Sequence, residues 1–199
     1  MHPSILKLFV MTTLLLIATS FKQTNNELAF SMTPPSGWHG TTNQEIWDNL
    51  HKFKVTGVEL NKYISDHKGS LPVVSYMKYK PSEHAGLIPV IQVNLRLNDT
   101  KSFSQFVSVM TKSADNMKNY LNDFQYVDNA KTITLAGRQA FYFSAKFNML
   151  TKNSDTIKAR SRTYAVPIGD KFLQINFTDG PNEDCSKLFD SLVKTIKFN

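Results

Sequence analysis

The side chains able to do acid–base or nucleophilic chemistry are few and dispersed. Histidine stands at positions 2, 39, 51, 67 and 84, and cysteine at 185 alone. A helical metal site needs two imidazoles four residues apart, and no pair here has that spacing. A hydrolytic site needs a nucleophile, a base and an orienting group that meet in one hollow. His67 beside Asp66, with Glu59 nearby, is a weak grouping of that kind, and an exposed polar loop explains it more simply. Phosphate loops, dinucleotide fingerprints, GxSxG elbows, HExxH helices and EF-hand loops are absent. No catalytic residue, metal ligand or cofactor site is assigned.

Cys185 has no second cysteine to pair with, so an intramolecular disulfide is excluded. It lies three and four residues before Leu188 and Phe189, on one helical face, which makes it a small core thiol. Glu183 and Asp184 beside it disfavour a reactive thiolate.

Two groups of residues have binding chemistry instead. Lys158, Arg160 and Arg162 alternate along a β-rich run, with Tyr164 continuing the row. Alternate residues of a strand share a face about 7 Å apart, so the row is a stripe able to hold carboxylates or phosphates. A solvated strand face is the simpler account. Trp38 and His39 form the second group, within "FSMTPPSGWHG" at 30–40. A tryptophan beside a proline turn either stacks on a ligand or folds inward to cover the core, and the second is expected here.

Of the 199 residues, 41% are hydrophobic and 12% aromatic, which is a globular composition with room for one core. The run "ILKLFVMTTLLLIA" at 5–18 is followed by small residues, and Ala18 and Ser20 fit a small-x-small cleavage rule. The run is short for a membrane span, which takes roughly 20 apolar residues. A signal peptide over 1–20, cut after Ser20, is therefore expected, and with it a periplasmic or secreted protein; a leader retained as an anchor is the alternative. A polar lead-in at 21–27 and one domain at 28–199 follow. Net charge is +7, for which solubility is the simpler account and an anionic partner the other, and no dense basic run or interleaved aromatics of nucleic-acid binders occur.

Periodicity places the elements. "LAFSM" at 28–32 reads as a short first strand, and Thr42 with Glu45 has capping-box spacing for a helix over 43–54. "GVELNKYISDHKG" reads as a second short helix stopped by Gly69 or as irregular chain. Strands are expected over 71–80 and 87–97. In the latter Ile91, Val93, Leu95 and Leu97 alternate with Gln92, Asn94 and Arg96. Phe103, Phe106, Val107, Met110, Ala114, Met117 and Leu121 trace one face of a helix over 102–121, with Ser102 as its cap. Strands follow, punctuated by Asp128-Asn129, Gly137, a polar loop at 151–156 and Gly169-Asp170. An amphipathic helix over 183–196 closes the chain. The fold class is α+β: a mostly antiparallel sheet with amphipathic helices on both faces, an α/β/α sandwich.

Several of these motifs come in a familiar order. Pro35 and then Gly37-Trp38 follow the first strand, and Leu135, Gly137 and Ala140 set a Leu-x-Gly-x-x-Ala turn before a long strand. Gly169-Asp170-Lys171 then leads into an aromatic strand and a helix ending in Ile196-Lys197-Phe198. Over roughly residues 28–198 the chain resembles the PsbP-like superfamily, whose fold is shared with the nuclear Mog-type Ran-binding factor. The resemblance implies non-enzymatic work, as an exported binding or accessory protein acting on a protein or cell-envelope partner. Neither photosystem nor Ran binding is carried over. The alternatives are a cell-envelope hydrolase with a cryptic His/acid site, and a basic protein that associates with membrane surfaces.

Overall fold

The computed structural model describes residues 30–42, 57–66, 68–150 and 156–198. The leader, the lead-in, the helix expected over 43–54, His51, His67 and most of the loop at 151–156 lie outside the described residues.

Seven strands form one sheet: β2 (His39–Thr42), β3 (Ser70–Met77), β4 (Val90–Leu97), β5 (Asn122–Leu135), β6 (Arg138–Leu150), β7 (Thr156–Ile168) and β8 (Lys171–Asp179). Their spatial order is β2-β3-β4-β8-β7-β6-β5, and every neighbouring pair is antiparallel. A separate two-stranded ladder joins β1 (Phe30–Ser31) to β9 (Lys197–Phe198), with Phe30 opposite Phe198. Among the described residues the α-helices are α1 (Gly57–Asp66), α2 (Phe103–Asn116) and α3 (Ser186–Val193).

The segment left open between helix and irregular chain is α1. Its stop is Gly69 at φ +74, whose N–H reaches back to the carbonyl of Ile64 at 2.9 Å. Helix α2 begins where Ser102 accepts the N–H of Gln105 at 3.2 Å, and ends in a 3-10 turn at Met117–Asn119. Two tight turns use the residues the sequence offers. Ala136 and Gly137 both take positive φ between the paired Leu135 and Arg138, and Gly169 does so between Ile168 and Lys171.

Several expectations need correction: the strands expected over 71–80 and 87–97 run over Ser70–Met77 and Val90–Leu97, and the helix expected over 102–121 over Phe103–Asn116. Asp128-Asn129 is not a turn, because β5 runs on through it with irregular register on both sides. Asp128 puts its turn chemistry into that bulge: its carboxylate accepts the Tyr142 and Ser144 hydroxyls at 2.9 and 2.8 Å, and its N–H donates to Ser144 Oγ. The last helix is also shorter than 183–196. Asp179 takes the N–H of Cys185 and Asp184 takes that of Ser186, so α3 starts at Ser186, and β9 claims Lys197–Phe198.

Alternation sorts the core into two clusters. Ile64 of α1 and Phe189 and Leu192 of α3 gather with Ile91, Val93, Leu95, Tyr142, Tyr164, Ile175 and Phe177. Phe106 and Ala114 of α2 gather with Phe141, Phe143, Ala165 and Phe172. Phe141 and Tyr142 are successive residues of one strand, so the two clusters lie on opposite faces of the sheet. The run from Ala140 to Ala145 is accordingly buried at every position.

Candidate functional site at the loop end of the sheet

Four chain segments meet at one end of the sheet: the exit of β3, the start of β4, the start of β7 and the exit of β8. The register brings them together, with Val90 opposite Thr178, and Arg160 opposite Asp179. Beyond β8, residues 180–183 turn sharply, Glu183 N–H donating to the Gly180 carbonyl at 3.0 Å, with Pro181 in the second position that suits its fixed φ. The turn lies tight on its neighbours. A Cβ at Gly180 would meet the Lys158 carbonyl at 3.0 Å and Leu87 Cδ2 at 3.1 Å.

Glu183, at the end of this turn, pairs with the Lys78 ammonium and accepts the Tyr79 hydroxyl at 3.1 Å. Lys78 holds the carboxyl below the usual range, and that hydrogen bond in turn holds the ammonium well above its own. The Tyr79 ring stacks on the His84 imidazole, centroids 4.4 Å apart and planes 18° from parallel. The loop between β3 and β4 is thereby pinned to the turn after β8.

A second ionic group lies beneath the first. Arg160 makes two bonds to the buried Asp179, at 2.9 and 2.8 Å, and a further pair with Asp184 at 2.9 Å. Asp184 is held well below the ordinary carboxylate range by that guanidinium. Arg162 pairs with Asp190 of α3. The basic stripe therefore exists as a row, but α3 and the turn before it supply carboxylates to both arginines. Lys158 differs from them: it is exposed and has no ion pair among the described residues.

Lys158 borders an open cleft of about 450 Å³ between the β3–β4 loop and the 180–183 turn. His84, Leu87, Ile157, Gly180 and Glu183 line it as well. The other sequence-derived pair stands elsewhere. Trp38 packs half-buried on the core, edge-on to Phe189 with centroids 6.2 Å apart, and its backbone N–H donates to the Pro35 carbonyl at 3.4 Å. His39 is exposed at the start of β2. Cys185 is buried, and burial pushes its thiol up.

Sequence reasoning missed Asp179, Glu183, Lys78 and Tyr79. For Asp179 a signal existed: Leu173, Ile175, Phe177 and Asp179 are alternate residues, so the carboxylate sits at an inward position and needs a cation. Lys78 and Tyr79 carried none, because their partner is more than 100 residues away. Among the described residues no group of three or more His, Cys, Asp or Glu side chains could hold a metal ion. Among them, too, no helix is long and apolar enough to cross a membrane.

The sequence matches no protein-family model and none of the curated proteins. Solved structures do resemble it. The solution structure of cyanobacterial PsbP (CyanoP) from Synechocystis sp. PCC 6803 is 10% identical and superposes with a TM-score of 0.53, covering 88% of this chain and 90% of that one. LpqN of Mycobacterium tuberculosis, described as involved in cell envelope biogenesis, is 13% identical with a TM-score of 0.49, covering 85% and 83%. The first alone exceeds 0.5, and at such low identity it establishes the fold and nothing further.

Proposed function

With a PsbP-like fold as the premise, we propose that this is an exported, non-catalytic binding or accessory protein that works through the loop end of its sheet. Its partner is a protein or a cell-envelope component. The observation that carries the reading is how the charges at that end are used. A general base works best with a pKa near the operating pH, and Lys78 holds the Glu183 carboxyl below its usual range. Glu183 meets Lys78 and Tyr79, while Asp179 meets Arg160 and the Cys185 N–H. These groups brace the loops, and what they leave open is a cleft bordered by Lys158, which has no ion pair among the described residues. The apolar run at 5–18 with small residues after it supports export. Opposite-facing core clusters support an α/β/α arrangement, α1 and α3 over one face and α2 over the other.

Affinity capture from the native envelope fraction tests the reading, run with the wild type and with Lys158→Glu in parallel. A partner retained by the wild type and lost by the variant is the expected result. Turnover of an ester or peptide by the wild type, abolished in His84→Ala, would overturn the non-catalytic assignment.

A further inference from the structure

We propose that the cleft beside Lys158 is a binding site for a small organic acid: a carboxylate carrying a short apolar chain. This names a ligand class for the surface described above, and so rests on that surface being the one that binds. The cleft, at about 450 Å³, falls within the size range of small-ligand sites. Its charge selects the ligand's sign. Glu183 is matched by the Lys78 ammonium and the Tyr79 hydroxyl, whereas Lys158 has no ion pair among the described residues. The balance at the cleft is one positive charge, and that calls for one negative charge in return.

Donor count and lining then separate carboxylate from phosphate. A phosphate is usually met by several donors, such as arginine forks or successive backbone N–H groups. Both nearby arginines are already committed to Asp179, Asp184 and Asp190. Lys158 and one ring N–H of His84, whose plane is set by its stack on Tyr79, are enough for the two oxygens of a carboxylate. The Leu87 side chain, close to Gly180 in the same lining, offers apolar surface, which favours a ligand with a hydrocarbon tail over a bare ion. The floor is closed to side chains, since a Cβ at Gly180 would press on both the Lys158 carbonyl and Leu87.

Hexanoate is the probe, titrated into the full chain while the amide resonances of Leu87, Ile157, Lys158 and Gly180 are followed by NMR. Saturable shifts with a Kd on the order of 1 mM are expected for so few atoms. Lys158→Met should weaken binding about tenfold, the worth of one charge-assisted hydrogen bond, with the rest of the spectrum unchanged. Leu87→Ser should weaken hexanoate but leave acetate as it was, and hexylamine should not bind. Absent hexanoate shifts, unchanged affinity in Lys158→Met, or tighter binding of inorganic phosphate would each overturn the proposal. If hexanoate fails while envelope capture still depends on Lys158, the ligand class falls and the binding surface stands. If capture is also indifferent to Lys158, both fall.

Discussion

Asp179 and Arg160 show what a single pair does for this chain. Asp179 ends β8 at an inward position, 3% exposed, where an unpaired carboxylate would lose its hydration without return. Arg160, paired opposite it in the register, supplies two hydrogen bonds, and the Cys185 N–H a third. Replacing Arg160 with methionine leaves the carboxylate stranded. The expected loss is about 3 kcal/mol of unfolding free energy in urea, the low end for a buried pair because the guanidinium is itself partly exposed. Adding Asp179→Asn to that variant should recover part of the loss, and the double-mutant cycle measures how much. Lys158→Met, in the same row, should change stability by less than about 0.5 kcal/mol. The row itself was legible in the sequence through its alternation. Which members were free was not, because the partners Asp184 and Asp190 stand 24 and 28 residues further on, on a different element.

At the scale of elements, local signals succeeded where the chain's neighbours agreed with them. The apolar stripe of α2 was readable, and Phe106 and Ala114 are its buried positions. Its first turn depends on Ser102, whose hydroxyl accepts an otherwise unmatched N–H. Ser102→Ala should cost about 1 kcal/mol, and Ser102→Asp should keep most of the stability. The β5–β6 turn makes a stricter demand. Gly137 sits at φ +81, so Gly137→Ala should destabilise by about 1 kcal/mol, seen as a lower urea midpoint with unchanged slope. Asp128-Asn129 misled for the opposite reason. Its composition is that of a turn, but Tyr142 and Ser144 on the next strand supply hydroxyls that reward Asp128 for staying extended. Tertiary partners of that kind are not visible in a window of a few residues.

For the whole molecule the charges set a stability plateau. The carboxyls of Asp115, Asp128, Asp170, Glu183 and Asp184 are all held below the usual range. Their chief donors are Tyr126, Ser144, Asn61, Lys78 and Arg160 respectively. In the unfolded chain such groups titrate near 4, so what they contribute is present above that pH and is lost as pH falls through their lower folded values. At the alkaline end, burial pushes the hydroxyls of Tyr126 and Tyr164 up to about 12, and Glu183 raises Lys78. Those contributions are complete below about pH 10 and fade as pH rises through the folded values. Burial raises the Cys185 thiol as well, and an unfolded thiol ionises near 8.5, so thermal unfolding should give a level Tm between about pH 5 and pH 8.5, falling on both sides. A Tm that drops between pH 7 and pH 5 would contradict this.

The Phe30 and Phe198 rings pack at a tilt with centroids 5.9 Å apart, and Thr33 N–H donates to Thr195 Oγ1 across 162 residues of chain. A chain ending at Ile196 should lose hydrogen-exchange protection at Ser31 while the seven-stranded sheet keeps its own. The same pairing sets an order of events during synthesis. The first described strand has its partner at Lys197–Phe198, so this ladder closes only once those residues have emerged.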